Sequence, residues 1–159
     1  MASTAIQELM LRFVKLDDLV ARFVACRLPH SEWTHQAHLA VGAWHVAHFG
    51  ADEALARLRV GIRQLNDSHG TPNSAARGYH ETITRAYVQL LAEFLNSVPQ
   101  TMPLAERVAR LLASRLAAKE ALLQFYSRER LMSSEARATW IEPDLLPLQL
   151  ANLQGNKTK

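Results

Sequence analysis

Cysteine is nearly absent. Cys26 is the only one in 159 residues, so no internal disulfide can form and a disulfide-stapled scaffold is excluded. No stretch approaches the ~20 uncharged apolar residues of a membrane span. The N-terminal "MASTAIQELMLRF" carries Glu8 and Arg12 among its apolar residues and has no small-residue cleavage site, so neither a secretory signal nor a membrane anchor is expected and a cytoplasmic location is. An excess of one charge is missing too: 18 Lys and Arg face 15 Asp and Glu, interleaved along the chain for a net charge of +3. Nucleic-acid binders gather basic residues on one face with aromatics among them, and no such stripe is present. The chain also lacks a Gly-x-Ser-x-Gly elbow, a Walker loop, a dinucleotide fingerprint and a Cys-x-x-Cys pair, so no such motif points to a function.

Alternating β-branched runs are equally scarce, whereas every long segment has helical period. The expected fold is all-α: one helical bundle of about five to seven helices over residues 1–150, with 151–159 as a fraying tail. The first helix is expected over about 4–27, with Ile6, Leu9, Met10, Phe13, Val20, Phe23 and Val24 facing inward, or as two helices with the second, shorter one starting at Asp17, and ends before Pro29. Ser31 reads as the N-cap of a second helix that runs to Phe49 and stops at Gly50. A third follows from about Asp52 to Ser68 on Leu55, Leu58, Ile62 and Leu65. "GTPNSAARG", residues 70–78, has the densest turn chemistry in the chain and is the natural functional loop. Helices are then expected over about 79–97, from Pro103 to about Leu116, and over 119–131, with a short capped one starting at Ser133 or Ser134.

The unusual stretch is "EWTHQAHLAVGAWHVAHFG", residues 32–50, with two His-x-x-His spacings. On a wheel advancing about 100° per residue, Trp33, Ala37, Ala40, Val41, Trp44 and Ala47 form one stripe. His35, His38 and His45 fall on another, near 200°, 140° and 120° from Trp33, with Gly42 among them, while His48 stays with the apolar stripe. His35 and His38 stand on adjacent turns and can share one ion; His45, about 10 Å further along the axis, can only line the same cavity. His80 joins Ile83, Thr84, Tyr87, Leu91 and Phe94 on the inner face of its helix, and Thr84 can satisfy only one of its ring nitrogens. His35 and His80 both lie in first turns, where the helix dipole keeps imidazole neutral and able to bind metal.

These residues predict a mononuclear centre in which His35, His38 and His80 hold a divalent transition ion; Zn, Fe, Ni and Cu suit such a ligand set about equally. Glu81 is the acid/base candidate, with Glu32 the other carboxylate in reach. Asn73, Arg77, His45, Tyr79 and Thr84 are the candidates for binding a small polar or anionic substrate, under loop 70–78 as a lid. Hydrolytic and oxidative chemistry stay open, as does a homo-oligomer. The rival expectation is a metal-free helical binding or interaction module with an anion pocket. In both, the partner is a small molecule or protein rather than nucleic acid or membrane.

"LPHSEWTHQAHL", then "HGTPNSAARGYHETIT", then "YSRERLMSSEARATWIEPDL" resemble a family of small bacterial proteins of unassigned activity. The likeness spans about Phe23 to Leu148. It implies that Thr34, His35, His38, Asn73, Gly78, Tyr79, His80, Glu81 and Thr84 belong to the family's motifs, and it implies no reaction.

Overall fold

The computed structural model describes residues 15–153, together with Thr4. The expected inward positions Ile6, Leu9, Met10 and Phe13 therefore lie outside the described residues. All the regular structure described is helical, with no strand. In chain order it comprises α1 (15–24), a 3-10 turn (His30–Glu32), α2 (His35–Ser68), α3 (Glu81–Ser97) and α4 (Leu104–Leu112). Two 3-10 turns (Arg115–Ala117, Ala121–Gln124), short α5 (Arg128–Leu131) and α6 (Ser134–Ala138), and a last 3-10 turn (Leu150–Asn152) follow.

Gly50 divides α2. Its φ of 77° and ψ of 169° are non-helical, in the positive-φ region that costs any other residue a Cβ clash. Leu39 and Leu58 line one cavity, although 19 residues of straight helix would hold them about 28 Å apart. The chain must turn back at Gly50, so residues 35–49 and 51–68 form two arms of a hairpin. This matches the expected stop at Gly50. The start of α2 differs from expectation: Ser31 lies in the 3-10 turn, and Thr34 is the cap, its Oγ1 accepting from Ala37 N–H at 3.2 Å. His35 is thereby the first residue of the helix.

The core gathers Phe23, Leu28, Val41, Ala43, Leu65, Leu90, Leu91, Leu111 and Leu116 from α1, both arms of α2, α3 and the segments after it. Val24, expected to face inward, is 62 % exposed; Phe23 beside it takes the buried direction. α3 packs on both arms of α2, and α4 on α2. The predicted long helix through Leu116 stops at Leu112, and 119–131 breaks into a 3-10 turn and α5. Ser133 caps α6 by accepting from Ala136 N–H, as the sequence suggests.

The C-terminal segment is strapped along α3. Thr82 Oγ1 donates to Thr139 O and accepts from Ile141 N–H, Gln89 donates to Leu148 O, and the Glu93 carboxylate accepts from Leu150 N–H. Leu153 is buried. Residues 154–159 of the expected tail lie outside the described residues.

Candidate ligand-binding site

The two arms of α2 and the facing side of α3 enclose a cavity of about 340 Å³. Its wall is mostly apolar: Leu39, Leu58, Ile62, Ile83, Val88 and Leu91. His35, His38, Thr84 and Tyr87 bring polar groups, and Trp33 and Gly42 complete the lining. The helical period that put Ile83, Thr84, Tyr87 and Leu91 on one face of α3 also delivers them here. Gly42 was expected to admit a close neighbour, and one is present: a Cβ there would stand 2.9 Å from Leu91 Cδ1.

His38 is held from two sides. Its ring stacks on Trp33 with centroids 3.7 Å apart, and Trp33 stacks in turn on Phe23. Its Nδ1 lies 2.7 Å from Thr34 O. A carbonyl accepts only, so Nδ1 carries the proton and Nε2 of the neutral ring is left as an acceptor. Atoms packed around the ring push its pKa down to about 4, yet more than a third of the residue meets solvent. That exposure limits the downward push, and what holds is a neutral ring at pH 7.

His35 lies beside it, its ring edge-on to Tyr87 at 5.9 Å, and its Nε2 is buried without a hydrogen-bond partner. Burial lowers its pKa, against an opposing effect of the Ala117 and Ala118 backbone. Burial alone pushes the Tyr87 hydroxyl up to about 12, so it stays an O–H donor. Thr84 donates its hydroxyl to His80 O at 2.8 Å, keeping only lone pairs for the cavity.

The other residues expected at the site are engaged elsewhere. His80 is not in the first turn of α3 but is its N-cap: Nδ1 accepts from Ile83 N–H at 3.1 Å, and Nε2 donates to Leu131 O at 2.9 Å. Both nitrogens are occupied, so the ring has no lone pair free for an ion. Glu81, the expected acid/base, accepts from Arg59 Nε through both oxygens and from the Tyr79 hydroxyl. It pins α3 to the second arm of α2 and does not line the cavity. Tyr79 is buried, and its hydroxyl is spent on Glu81.

Asn73 is a clasp inside loop 70–78. Its Oδ1 accepts from Asn66 Nδ2 and Tyr79 N–H, while its Nδ2 donates to Asp67 and to Arg63 O. Every polar direction of the amide is used, so it has none for a substrate. Arg77 is exposed on the same loop and lines no part of the cavity. His45 departs from the expected shared cavity: it is 3 % exposed, its Nδ1 donates to Val41 O at 2.8 Å, and its ring meets Phe23 edge-on. His48 is exposed and lies 4.0 Å from the Trp44 ring.

Among the described residues, no group of three His, Cys, Asp or Glu side chains is arranged to hold a metal ion. No helix there is long and apolar enough to cross a membrane. No family model, curated protein or solved structure matches the chain.

The histidine environments dictate a pH dependence. His35, His45 and His80 all have pKa values lowered from 6.5, chiefly by burial. Between those lowered values and 6.5 the unfolded chain binds more protons than the folded one, so stability rises with pH in that window. Stability should be full above pH 6.5 and fall progressively below it. Urea titrations at pH 7.5, 6.0 and 5.0 test this, and His45→Gln should flatten the slope. Equal midpoints at all three pH values would contradict neutral burial of these rings.

Proposed function

We propose that this protein binds a compact, mainly apolar molecule bearing a hydroxyl or equivalent group in the cavity between α2 and α3. The observation that carries the reading is the composition of the cavity wall. About 340 Å³ enclosed by aliphatic side chains, with a few polar groups from neighbouring turns, sits at the small end of the ~300–1,000 Å³ typical of small-molecule sites. The polar groups are complementary in kind: His38 offers an acceptor nitrogen and Tyr87 a donor hydroxyl. A single hydroxyl on the ligand can donate to the first and accept from the second.

The test pairs p-cresol with toluene, read by NMR shifts of the Trp33 indole and of the cavity methyls. Both should bind saturably, with p-cresol about tenfold tighter, on the order of one net hydrogen bond. Ile62→Trp fills the cavity and should abolish both. Absence of saturable shifts from either probe, or unchanged binding in Ile62→Trp, refutes the reading.

One observation favours a second reading. The Thr34 carbonyl fixes His38 Nδ1–H, the arrangement by which proteins aim the other imidazole nitrogen at a metal. A divalent ion held by His35 and His38 and completed by a bound molecule fits that feature without His80. Cobalt(II) titration of protein made without a His-tag separates the two. Visible bands lost in His38→Ala support the ion; a flat spectrum together with intact p-cresol binding supports the metal-free site.

A further inference from the structure

A second pocket lies where loop 70–78 meets the second arm of α2 and α6. It encloses about 310 Å³, and Arg63, Arg137, Ser74 and Tyr79 face it. Four arginines elsewhere pair with carboxylates, Arg22 with Asp18 and Glu32, Arg57 with Glu53, Arg59 with Glu81 and Arg128 with Glu120, while Arg85, Arg107 and Arg130 rest on an aromatic ring or a backbone carbonyl. The two arginines of this pocket belong with the second group. The Arg63 guanidinium lies 4.5 Å over the Tyr79 ring, and Arg137 Nη1 donates to Gly78 O at 2.8 Å. Neither has a carboxylate partner among the described residues.

An aromatic face and a backbone carbonyl position a guanidinium without neutralising it, and most of its five donors stay free. Ser74 adds another donor. Its Oγ accepts from Ala76 N–H and Arg77 N–H at 3.3 and 3.2 Å, which leaves its hydroxyl proton unspent. Of the acids nearby, Glu81 is paired with Arg59 and Asp67 accepts from Asn73, and none forms an ion pair with Arg63, Arg137 or the adjacent exposed Arg77. Asn73 clasps the loop through Asn66, Tyr79, Asp67 and the Arg63 carbonyl, which positions the Ser74 backbone before any ligand arrives.

We infer that this pocket is a binding site for a phosphate group, either the free ion or a small phosphate monoester. Two forked cations with a hydroxyl match the several acceptor oxygens and double charge of phosphate at pH 8. The site is separate from the apolar cavity, and the inference stands independently of the function proposed for that cavity.

Calorimetric titration at pH 8 and constant ionic strength, with sodium chloride as the balancing salt, tests it with inorganic phosphate and phenyl phosphate. One saturable site per chain is expected for at least one of them. Saturation by inorganic phosphate assigns the free anion, and saturation by phenyl phosphate alone assigns a monoester. Arg63→Gln and Arg137→Gln should each weaken binding at least about tenfold, the scale of one charged hydrogen bond. Arg63 is exposed, so its variant keeps the test valid if loss of the Arg137–Gly78 bond loosens the fold. No saturable heat from either probe, or affinity unchanged in Arg63→Gln, overturns the inference.

Discussion

Gly78→Ala should destabilise the protein by about 3–5 kcal/mol, a large part of the ~5–15 kcal/mol that holds a domain together. Gly78 has φ of 83°, and a Cβ there would stand 2.3 Å from Pro72 O and 2.7 Å from Asn73 Oδ1. The backbone conformation alone costs a residue with a Cβ about 1–2 kcal/mol. The rest arises because the atoms in the way are a rigid carbonyl and the amide oxygen that clasps the loop through Asn66 and Tyr79. Gly70 is the internal control. Its φ is 71°, but no atom lies within 4 Å of a Cβ built there, so Gly70→Ala should lose only about 1–2 kcal/mol. Urea denaturation of the two variants measures the difference, and similar midpoints would show that the loop is not packed as described.

His80→Ala carries the second large effect, about 2–4 kcal/mol. Removing an N-cap side chain costs about 1 kcal/mol, and leaving the carbonyl of Leu131 without its donor adds about 1–3 kcal/mol. His80→Asn should restore about the capping part, since asparagine caps well but is too short to reach Leu131. The loss should be the same with and without EDTA, because both nitrogens serve the protein's own backbone. A destabilisation that appears only when metal is removed would instead return His80 to the role of ligand. The ring also bears on acid stability: a proton on Nδ1 would face the Ile83 N–H it now accepts from, so the same substitution should lessen the loss of stability below pH 6.5.

These two positions show why residues that stand out in a motif need not touch a ligand. "GYHETIT" is conspicuous as a string, yet four consecutive members of it are structural. Gly78 permits the loop to close, Tyr79 bonds Glu81, and His80 caps α3. Glu81 itself is an interhelical tie to Arg59. Besides His35, His38, Ile83 and Thr84, the cavity is lined by less conspicuous residues, Leu58, Ile62, Tyr87 and Val88 among them. The signal that could have found them is the one that found the core: helical period places Tyr87 and Leu91 on the inner face of α3. It does not tell which inner-facing residues meet a neighbour and which border an empty space.

What the amino-acid order determined by itself is local. The all-α class follows from apolar residues at three- and four-residue spacing, the reversal at Gly50 from a residue tolerant of positive φ, and the cap at Ser133 from a hydroxyl within reach of its own backbone. The proximity of His35 and His38 has the same origin, since both stand on adjacent turns of one helix. Tertiary structure alone decided the partners. His80 meets Leu131 across 51 positions, Arg59 meets Glu81 across 22, and Arg137 reaches Gly78 across 59. A side chain's chemistry is settled by whichever donor or acceptor the fold brings to it, and hydrogen-bond partners tens of residues away leave no periodic trace in the chain.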